Sequence, residues 1–172
     1  TSTTLYEIEP DTGGAVWIGE FWEGSQSVDK FVDIAIDGDG RMYGGTFDAL
    51  YRIDPKTAEV IYVCSADKDM TGMAFSSDGQ LFVGGDNAIY LMDVANCETT
   101  NLVASPYYET SGDLVGLPDG YLYWTVRGDS SDELVRVDPT NGATAWVGSI
   151  DERKLFGLGY ANEQLFGFSA NG

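Results

Sequence analysis

Residues 50–57, Leu-Tyr-Arg-Ile-Asp-Pro-Lys-Thr, decide the fold because they form a predicted strand that ends at a defined turn. Side chains across residues 50–54 alternate with the two-residue period of a β-strand. Asp54-Pro55 then ends the strand, since proline presets the φ of a turn and the aspartate side chain accepts hydrogen bonds from the turn backbone. A second strand follows from Glu59 to Cys64, so the stretch predicts a β-hairpin.

The same hairpin pattern recurs along the whole chain. It appears as LYEIEPDTGGAVWIG from Leu5, as IYLMDVANCETTNLV from Ile89 and as LVRVDPTNGATAWVG from Leu134. Between the copies lie pairs of apolar strands joined by Asp-Gly turns or, in the last case, an Asn-Glu turn, and Asp-Gly suits a tight hairpin. The turn glycines Gly40, Gly79 and Gly120 are 39 and 41 residues apart. A four-stranded unit of roughly 40 to 45 residues has the period of a β-propeller blade.

The repeats resemble the LYxIDPxTGxxxxIG repeats of β-propellers in secreted and surface-associated bacterial proteins, related in style to YVTN and NHL propellers. Residues 50–57 and 134–142 carry the resemblance. It implies a propeller fold over essentially the whole chain. It leaves the function open, because propellers include lectins, scaffolds, lyases and dehydrogenases.

The predicted architecture is an all-β, four-bladed β-propeller in a single domain of residues 1–172. One blade combines the N- and C-terminal strands, residues 1–19 with residues 155–172, and the others span residues 31–66, 70–104 and 112–148. A shared blade would leave no open seam in the ring. Two chains exchanging these strands would instead form an eight-bladed, domain-swapped dimer. We expect a monomer, because closing a loop within one chain costs less entropy than association.

Composition restricts the partners and the chemistry. The chain has 9 Lys and Arg against 28 Asp and Glu, a net charge of −19, and no histidine. An acidic surface disfavours nucleic acid and anionic membranes and favours cations. The absence of histidine excludes histidine-based acid–base catalysis and histidine metal ligands. No apolar run reaches the ~18 to 20 residues of a membrane span, and any signal peptide is expected to be absent or removed.

The two cysteines, Cys64 and Cys97, are expected to be free thiols. The repeat places Cys64 at the end of a fourth strand and Cys97 in the turn before another. We expect these positions to lie on opposite faces of a blade, about one strand length or ~15 Å apart. A disulfide needs Cα atoms within about 7 Å.

Two aspartates are candidate ligands of an axial cation. The innermost strands begin Asp33-Ile-Ala, Gly72-Met-Ala, Asp113-Leu-Val and Gly157-Leu-Gly. If these positions face the channel, Asp33 and Asp113 oppose each other. Two carboxylates in a narrow channel either share a proton or bind Ca²⁺ or Na⁺. The alternative is a pair of solvated aspartates that never meet.

A second candidate site is an aromatic rim formed by the longer loops. Exposed aromatic side chains near carboxylates stack on sugars or hold cationic peptides. The alternative is that the aromatics fill the space between blades. The candidate ligand-binding residues are Phe21, Trp22, Tyr107, Tyr108, Trp124 and Arg127.

These features favour a non-enzymatic binding or scaffold module that is extracellular or on a bacterial cell surface. Its loop rim would contact a carbohydrate or a protein, and no catalytic residue is assigned. The alternative is a carboxylate-based hydrolase or lyase that uses Asp33 and Asp113 at the channel mouth.

Overall fold

The computed structural model describes residues 3–170, and these residues are all-β, with no helix among them. They form 18 strands in six antiparallel sheets. No helix long and apolar enough to cross a membrane occurs in this part of the chain.

Three four-stranded sheets, here called the first, second and third blades, make up the centre of the molecule. In each blade the strands lie side by side in chain order. The first blade contains β5 (Asp33–Ile36), β6 (Met42–Gly45), β7 (Ala49–Ile53) and β8 (Val60–Ser65). The second contains β9 (Gly72–Phe75), β10 (Leu81–Gly85), β11 (Ala88–Met92) and β12 (Thr99–Ala104). The third contains β13 (Thr110–Gly116), β14 (Leu122–Arg127), β15 (Asp132–Val137) and β16 (Thr144–Ser149).

Three hairpins complete the described chain, each as a separate two-stranded sheet. They are β1 (Thr4–Glu9) with β2 (Gly14–Glu20), β3 (Trp22–Glu23) with β4 (Gln26–Ser27), and β17 (Leu155–Ala161) with β18 (Gln164–Ser169). The short β3–β4 hairpin lies in the connection from β2 to the first blade.

The sheet predicted to unite the two ends of the chain is not formed between the described strands. The β1–β2 and β17–β18 hairpins belong to different sheets. Each is held by its sequence neighbour: β2 packs against the first blade at Gly19, and β17 packs along β13. The predicted four-blade count and closure are therefore not confirmed: the described residues form three complete four-stranded blades, with a two-stranded hairpin before them and another after them in the chain. Residues 1, 2, 171 and 172 of the predicted shared blade lie outside the described residues.

Apolar side chains from adjacent sheets form the core. The contact between the first and second blades includes Leu50, Met70 and Leu81, and all three are buried. The contact between the second and third blades is built around Phe82 and Trp124. A third cluster, which includes Leu5, Phe21 and Ile53, joins the β1–β2 hairpin to the first blade. The sheets thus bury their faces against one another, as stacked β layers require.

The turn between the third and fourth strands of each blade contains a residue with positive φ. These residues are Ala58 (59°), Cys97 (58°) and Gly142 (73°). In each turn the backbone N–H of that residue donates to the carbonyl of the aspartate that follows the third strand, at 2.8 to 2.9 Å. This hydrogen bond closes the turn in all three blades, with Asp-Pro in the first and third and Asp93-Val94 in the second.

Each of these turns contacts the outer strand of the preceding sheet. An added Cβ at Gly19 would lie 3.1 Å from the Cβ of Ala58, and one at Gly142 would lie 3.2 Å from Cγ2 of Val103. Cys64 and Cys97 form the middle contact of this series. We call these contacts the turn–strand junctions; they recur once per pair of adjacent sheets.

The prediction of two free thiols is wrong, because Cys64 and Cys97 form a disulfide with Cα atoms 5.7 Å apart. The separation was predicted as a length along one blade. The two residues instead belong to adjacent blades and meet at a turn–strand junction. Both are buried in the cluster between the first and second blades.

Replacing the disulfide by the pair Cys64→Val and Cys97→Ala tests its contribution. Val103 and Ala58 occupy the equivalent positions at the other junctions, so both substitutions suit the local backbone and packing. For a sequence separation of 33 residues, loss of the crosslink should lower the free energy of unfolding by about 3 to 4 kcal/mol. Denaturant titration measures this, with the reduced wild-type protein as the control; equal stability of the oxidised and substituted proteins would contradict it.

Candidate functional site

The innermost strands of the blades surround a cavity of about 490 Å³. Strands β5, β9, β13 and β17 follow one another around it, and each packs against the next. Most of the lining is apolar, including Ile34, Met73 and Leu158, with Ile8 and Phe168 at its margin. Asp33 and Asp113 are the carboxyl groups in this lining.

The two carboxylates have the same hydrogen-bond arrangement. Asp33 accepts from the backbone N–H of Ile34 on its own strand at 2.7 Å and from that of Met73 in the second blade at 2.5 Å. Asp113 accepts from the N–H of Leu114 at 2.5 Å and from that of Leu158 on β17. Each aspartate therefore joins its own inner strand to the next one.

Glycine alternates with aspartate around the axis because the strands come close together. An added Cβ at Gly72 would lie 3.0 Å from both the Cα of Asp113 and the carbonyl oxygen of Gly112. A side chain at Gly72 would therefore push β9 away from β13.

The carboxyl groups of Asp33 and Asp113 lie close enough together for each to affect the pKa of the other. Burial raises the pKa of Asp33 well above its ordinary value, and the neighbouring charge of Asp113 raises it further. Burial also raises the pKa of Asp113, to about 6. Two carboxyl groups in such a site share a proton, so the pair carries about one negative charge near neutral pH. We call these residues the axial pair.

The described residues contain no group of three or more His, Cys, Asp or Glu side chains arranged to hold a metal ion. The axial pair brings two carboxylates together without a third acidic side chain. A cation there would need backbone carbonyls or water to complete its oxygen shell.

A second depression, the rim groove, lies where the second and third blades meet. Its volume is about 460 Å³. Tyr107 stands at its edge with 89% of its surface exposed, and Arg127 and Glu109 form an ion pair of 2.8 Å beside it. The groove is lined by Asp86, Asn87, Ser105, Pro106, Tyr107, Tyr108, Glu109 and Arg127.

The groove loop has a defined conformation. The Ser105 hydroxyl accepts hydrogen bonds from the backbone N–H groups of Tyr107 and Tyr108, each at 3.1 Å. The Tyr108 ring meets Trp124 edge to face at 6.2 Å between centroids. The Trp124 indole N–H donates to the Thr110 hydroxyl at 3.1 Å, so Trp124 supports the groove from beneath.

The structure separates the six residues predicted to form the aromatic rim. Tyr107, Tyr108 and Arg127 line the rim groove. Trp124 and Phe21 are buried, in the second–third blade contact and beside the β1–β2 hairpin respectively. Trp22 is 41% exposed but lies on β3 next to the first blade, outside the groove.

No sequence pattern indicates that several polar residues belong to these sites or are buried near them. Asp86, Asn87 and Ser105 enter the groove from a hairpin turn and a loop that read as ordinary turn chemistry. Asp132 is buried and accepts from the Ser111 hydroxyl at 2.5 Å and from the Leu155 backbone N–H at 2.8 Å. Such contacts join segments that are distant in sequence, so only the fold reveals them.

No protein-family model and no curated protein matches the sequence. Solved structures do match the fold. A chain of the nidogen/laminin complex superimposes with a TM-score of 0.69 at 14% identity, over 98% of this chain and 68% of that one. XC5397 of Xanthomonas campestris, a gluconolactonase, superimposes with a TM-score of 0.60 at 16% identity, over 80% of this chain and 54% of that one. An auxiliary nutrient binding protein of Bacteroides ovatus superimposes with a TM-score of 0.53 at 14% identity, over 83% of this chain and 35% of that one.

At these identities the likeness concerns the fold alone. The chain covers between 35% and 68% of the lengths of these three structures. Together with the sequential sheets and their inner strands around an axis, the likeness shows that the chain has a β-propeller fold.

Proposed function

We propose that the protein is a non-enzymatic binding module, extracellular or on the cell surface, whose rim groove binds a carbohydrate. The observation that carries the proposal is the nearly fully exposed ring of Tyr107 at a concave groove lined by charged and amide side chains. An aromatic ring stacks on the apolar face of a sugar, while carboxylate, amide and guanidinium groups bond its hydroxyls.

The fixed backbone conformation of the groove loop supports ligand binding. Because Ser105 fixes the backbone at Tyr107 and Tyr108, less conformational entropy is lost when a ligand binds. The ion pair between Arg127 and Glu109 places a donor and an acceptor side by side at the groove edge. A protein partner is the second kind of ligand that such a surface suits.

The disulfide supports the proposed location, and the net charge restricts the proposed partners. The Cys64–Cys97 disulfide suits an oxidising compartment, where such bonds persist. The net charge of −19 gives a surface that repels nucleic acid and anionic membranes.

The axial pair supports a structural role better than catalysis. Asp113 is only 1% exposed, and both oxygens of each carboxyl group accept backbone hydrogen bonds. These contacts leave little of the pair for a substrate. A carboxylate-based hydrolase or lyase remains the second candidate function, because paired acids with raised pKa values in a cavity are also typical of acid–base sites.

Below its raised pKa the axial pair holds a shared proton, and above it Ca²⁺ or Na⁺ takes the place of that proton. Hard cations prefer carboxylate and carbonyl oxygens. The two carboxylates supply up to four of these oxygens. The cation and the proton therefore compete for one position.

The Tyr107→Ala variant tests the rim groove. Removing the exposed ring should weaken carbohydrate binding by at least tenfold, since stacking supplies much of the contact area. Binding on a glycan array followed by titration calorimetry measures this. Trp146→Ala, which removes an exposed ring on β16, is the matched control. Equal binding by wild type and Tyr107→Ala, or the same loss in both variants, would contradict the proposal.

The pH dependence of stability tests the axial pair. Its pKa values are raised in the folded state, so its contribution is complete below pH ~4 and is lost as pH rises through the raised pKa. For Asp113, with a folded pKa of about 6, the total loss is about 3 kcal/mol, of which about 1.4 kcal/mol falls between pH 5 and 8. The chain has no histidine, so few other groups titrate in that window.

Denaturant titration at pH 5 and pH 8 measures this loss. Asp113→Asn, which imitates the protonated acid, should remove most of the difference. Asp151→Asn, an exposed substitution with the same charge change, should retain it. A wild-type protein equally stable at both pH values would contradict the shared proton.

Calcium addition tests the cation. At pH 8, Ca²⁺ should raise the melting temperature of the wild type by several degrees and should have little effect on Asp33→Asn. At pH 5 the proton occupies the position, so the effect should vanish. Scanning calorimetry with EDTA-treated protein as the reference measures both. An equal shift in Asp33→Asn would mean that Ca²⁺ binds elsewhere.

A further inference from the structure

The rim groove contains two acidic side chains, and they differ in how they are paired. Glu109 forms the 2.8 Å ion pair with Arg127, the single Lys or Arg in the groove lining. Asp86 is exposed at the two-residue turn between β10 and β11. Among residues 3–170, no hydrogen bond or ion pair is made by its carboxylate. The groove therefore contains one negative charge that the protein itself does not neutralise.

The backbone that presents Asp86 is held by the groove loop. Asp86 has a φ of 50°, and its carbonyl accepts from the Thr110 backbone N–H at 2.6 Å. The next carbonyl, that of Asn87, accepts from the Ser105 N–H at 2.9 Å. These two hydrogen bonds attach the turn to the segment that also carries the exposed tyrosine. The unpaired carboxylate thus lies on a fixed backbone, which lowers the entropy lost on binding.

The charges of the groove decide which class of sugar it suits. An acidic sugar could reach the Arg127 guanidinium only by displacing Glu109. Its carboxylate would then lie beside both Glu109 and Asp86, and like charges at such distances repel. A sugar with an ammonium group leaves the ion pair intact and gains a charge-assisted hydrogen bond to Asp86. The net charge of −19 acts in the same direction, because it attracts cations to the whole surface.

We propose that the rim groove selects an amino sugar with a free ammonium group. Asp86 binds the ammonium, the exposed ring of Tyr107 stacks on the face of the sugar, and the Asn87 amide bonds a neighbouring hydroxyl. This inference rests on the proposed carbohydrate function and specifies its ligand class.

A cationic peptide offers the same ammonium chemistry, but the groove favours a sugar. Its volume of about 460 Å³ lies within the ~300 to 1,000 Å³ of small-molecule sites. The ring of Tyr107 is 89% exposed, and such an open aromatic face suits the flat apolar side of a sugar ring. A lysine side chain would use the carboxylate and leave most of that ring uncovered.

Matched tetrasaccharides that differ only in one substituent test the proposal. β-Linked tetramers of glucosamine and of glucose differ by an ammonium in place of a hydroxyl on each ring, and so do tetramers of galactosamine and galactose. Titration calorimetry at pH 5, where the sugar amines are protonated, compares each pair. At low ionic strength at least one amino tetramer should bind about fivefold more tightly than its neutral counterpart. Added salt should reduce this ratio, because the contact is exposed.

The Asp86→Asn variant assigns the preference to one carboxylate. Asparagine tolerates the positive φ of this turn, so the variant should fold, and circular dichroism checks this. The ratio between amino and neutral tetramers should fall to about one, while the neutral tetramer is still bound. Asp129→Asn is the matched control. It makes the same charge change at an exposed position on the next hairpin turn, outside the groove lining, and should retain the preference.

Several results would overturn the proposal. Equal affinity for amino and neutral tetramers, combined with loss of both in Tyr107→Ala, would refute the charge selection and leave the carbohydrate function intact. A glycan array with no bound sugar would refute both. Tighter binding of a galacturonate tetramer than of the neutral ones would reverse the predicted sign. Tighter binding of tetralysine than of either amino tetramer would identify a cationic peptide as the ligand instead. An unchanged preference in Asp86→Asn would remove that residue from the site.

Discussion

The close approach of neighbouring blades is the constraint on which the rest of the structure depends. Every blade exposes two faces, and each face loses its contact with water only by packing on the next sheet. Glycine permits this approach where one backbone meets another. An added Cβ would lie 2.1 Å from the Phe75 carbonyl oxygen at Gly116 and 2.2 Å from that of Asp69 at Gly85. The apolar clusters between the blades form only because these backbones come so near.

Polar contacts at the axis reinforce the same approach. The axial pair connects β5 to β9 and β13 to β17 through backbone N–H donors, so each aspartate crosses from one blade to the next. Burying two acids is unfavourable unless hydrogen bonds and a shared proton offset the lost hydration. A well-packed apolar pair would avoid that cost. Each aspartate thereby links the inner strand of its own blade to that of the next sheet.

The sequence predicts the repeat better than it predicts how repeats meet. Strand alternation, Asp-Pro ends and Asp-Gly turns are local signals, and they indicate a propeller of four-stranded units. The prediction that Cys64 and Cys97 are free thiols is wrong because the distance between them depends on the packing of two blades, which no local sequence pattern describes. The pairing of the two ends stays a prediction for the same reason: residues 1–19 and 155–172 have complementary patterns, but whether they meet depends on the angle accumulated over three blades.

The rim illustrates a second limit. An aromatic residue in or near a loop has the same sequence pattern whether its ring enters the core or the solvent. Trp124 and Tyr107 were equally plausible ligands, yet Trp124 finds Thr110 as a buried hydrogen-bond partner and Tyr107 has no comparable enclosure. The difference arises from the strand on which each lies: Trp124 faces the second blade from the middle of β14, whereas Tyr107 lies beyond the end of β12.

The rim groove depends in turn on the packing of blades. Asp86 and Asn87 come from a hairpin of the second blade, whereas Arg127 ends a strand of the third. The width of the groove is therefore set by the distance between two sheets. That distance is fixed beneath the groove by Trp124 and, at the outer strands, by the contact of Val103 with Gly142. Loops carry the variable chemistry of such a fold, and a rigid framework places them. A ligand at the groove thus binds to the junction of two blades, so the contact that holds the propeller together also shapes its candidate binding surface.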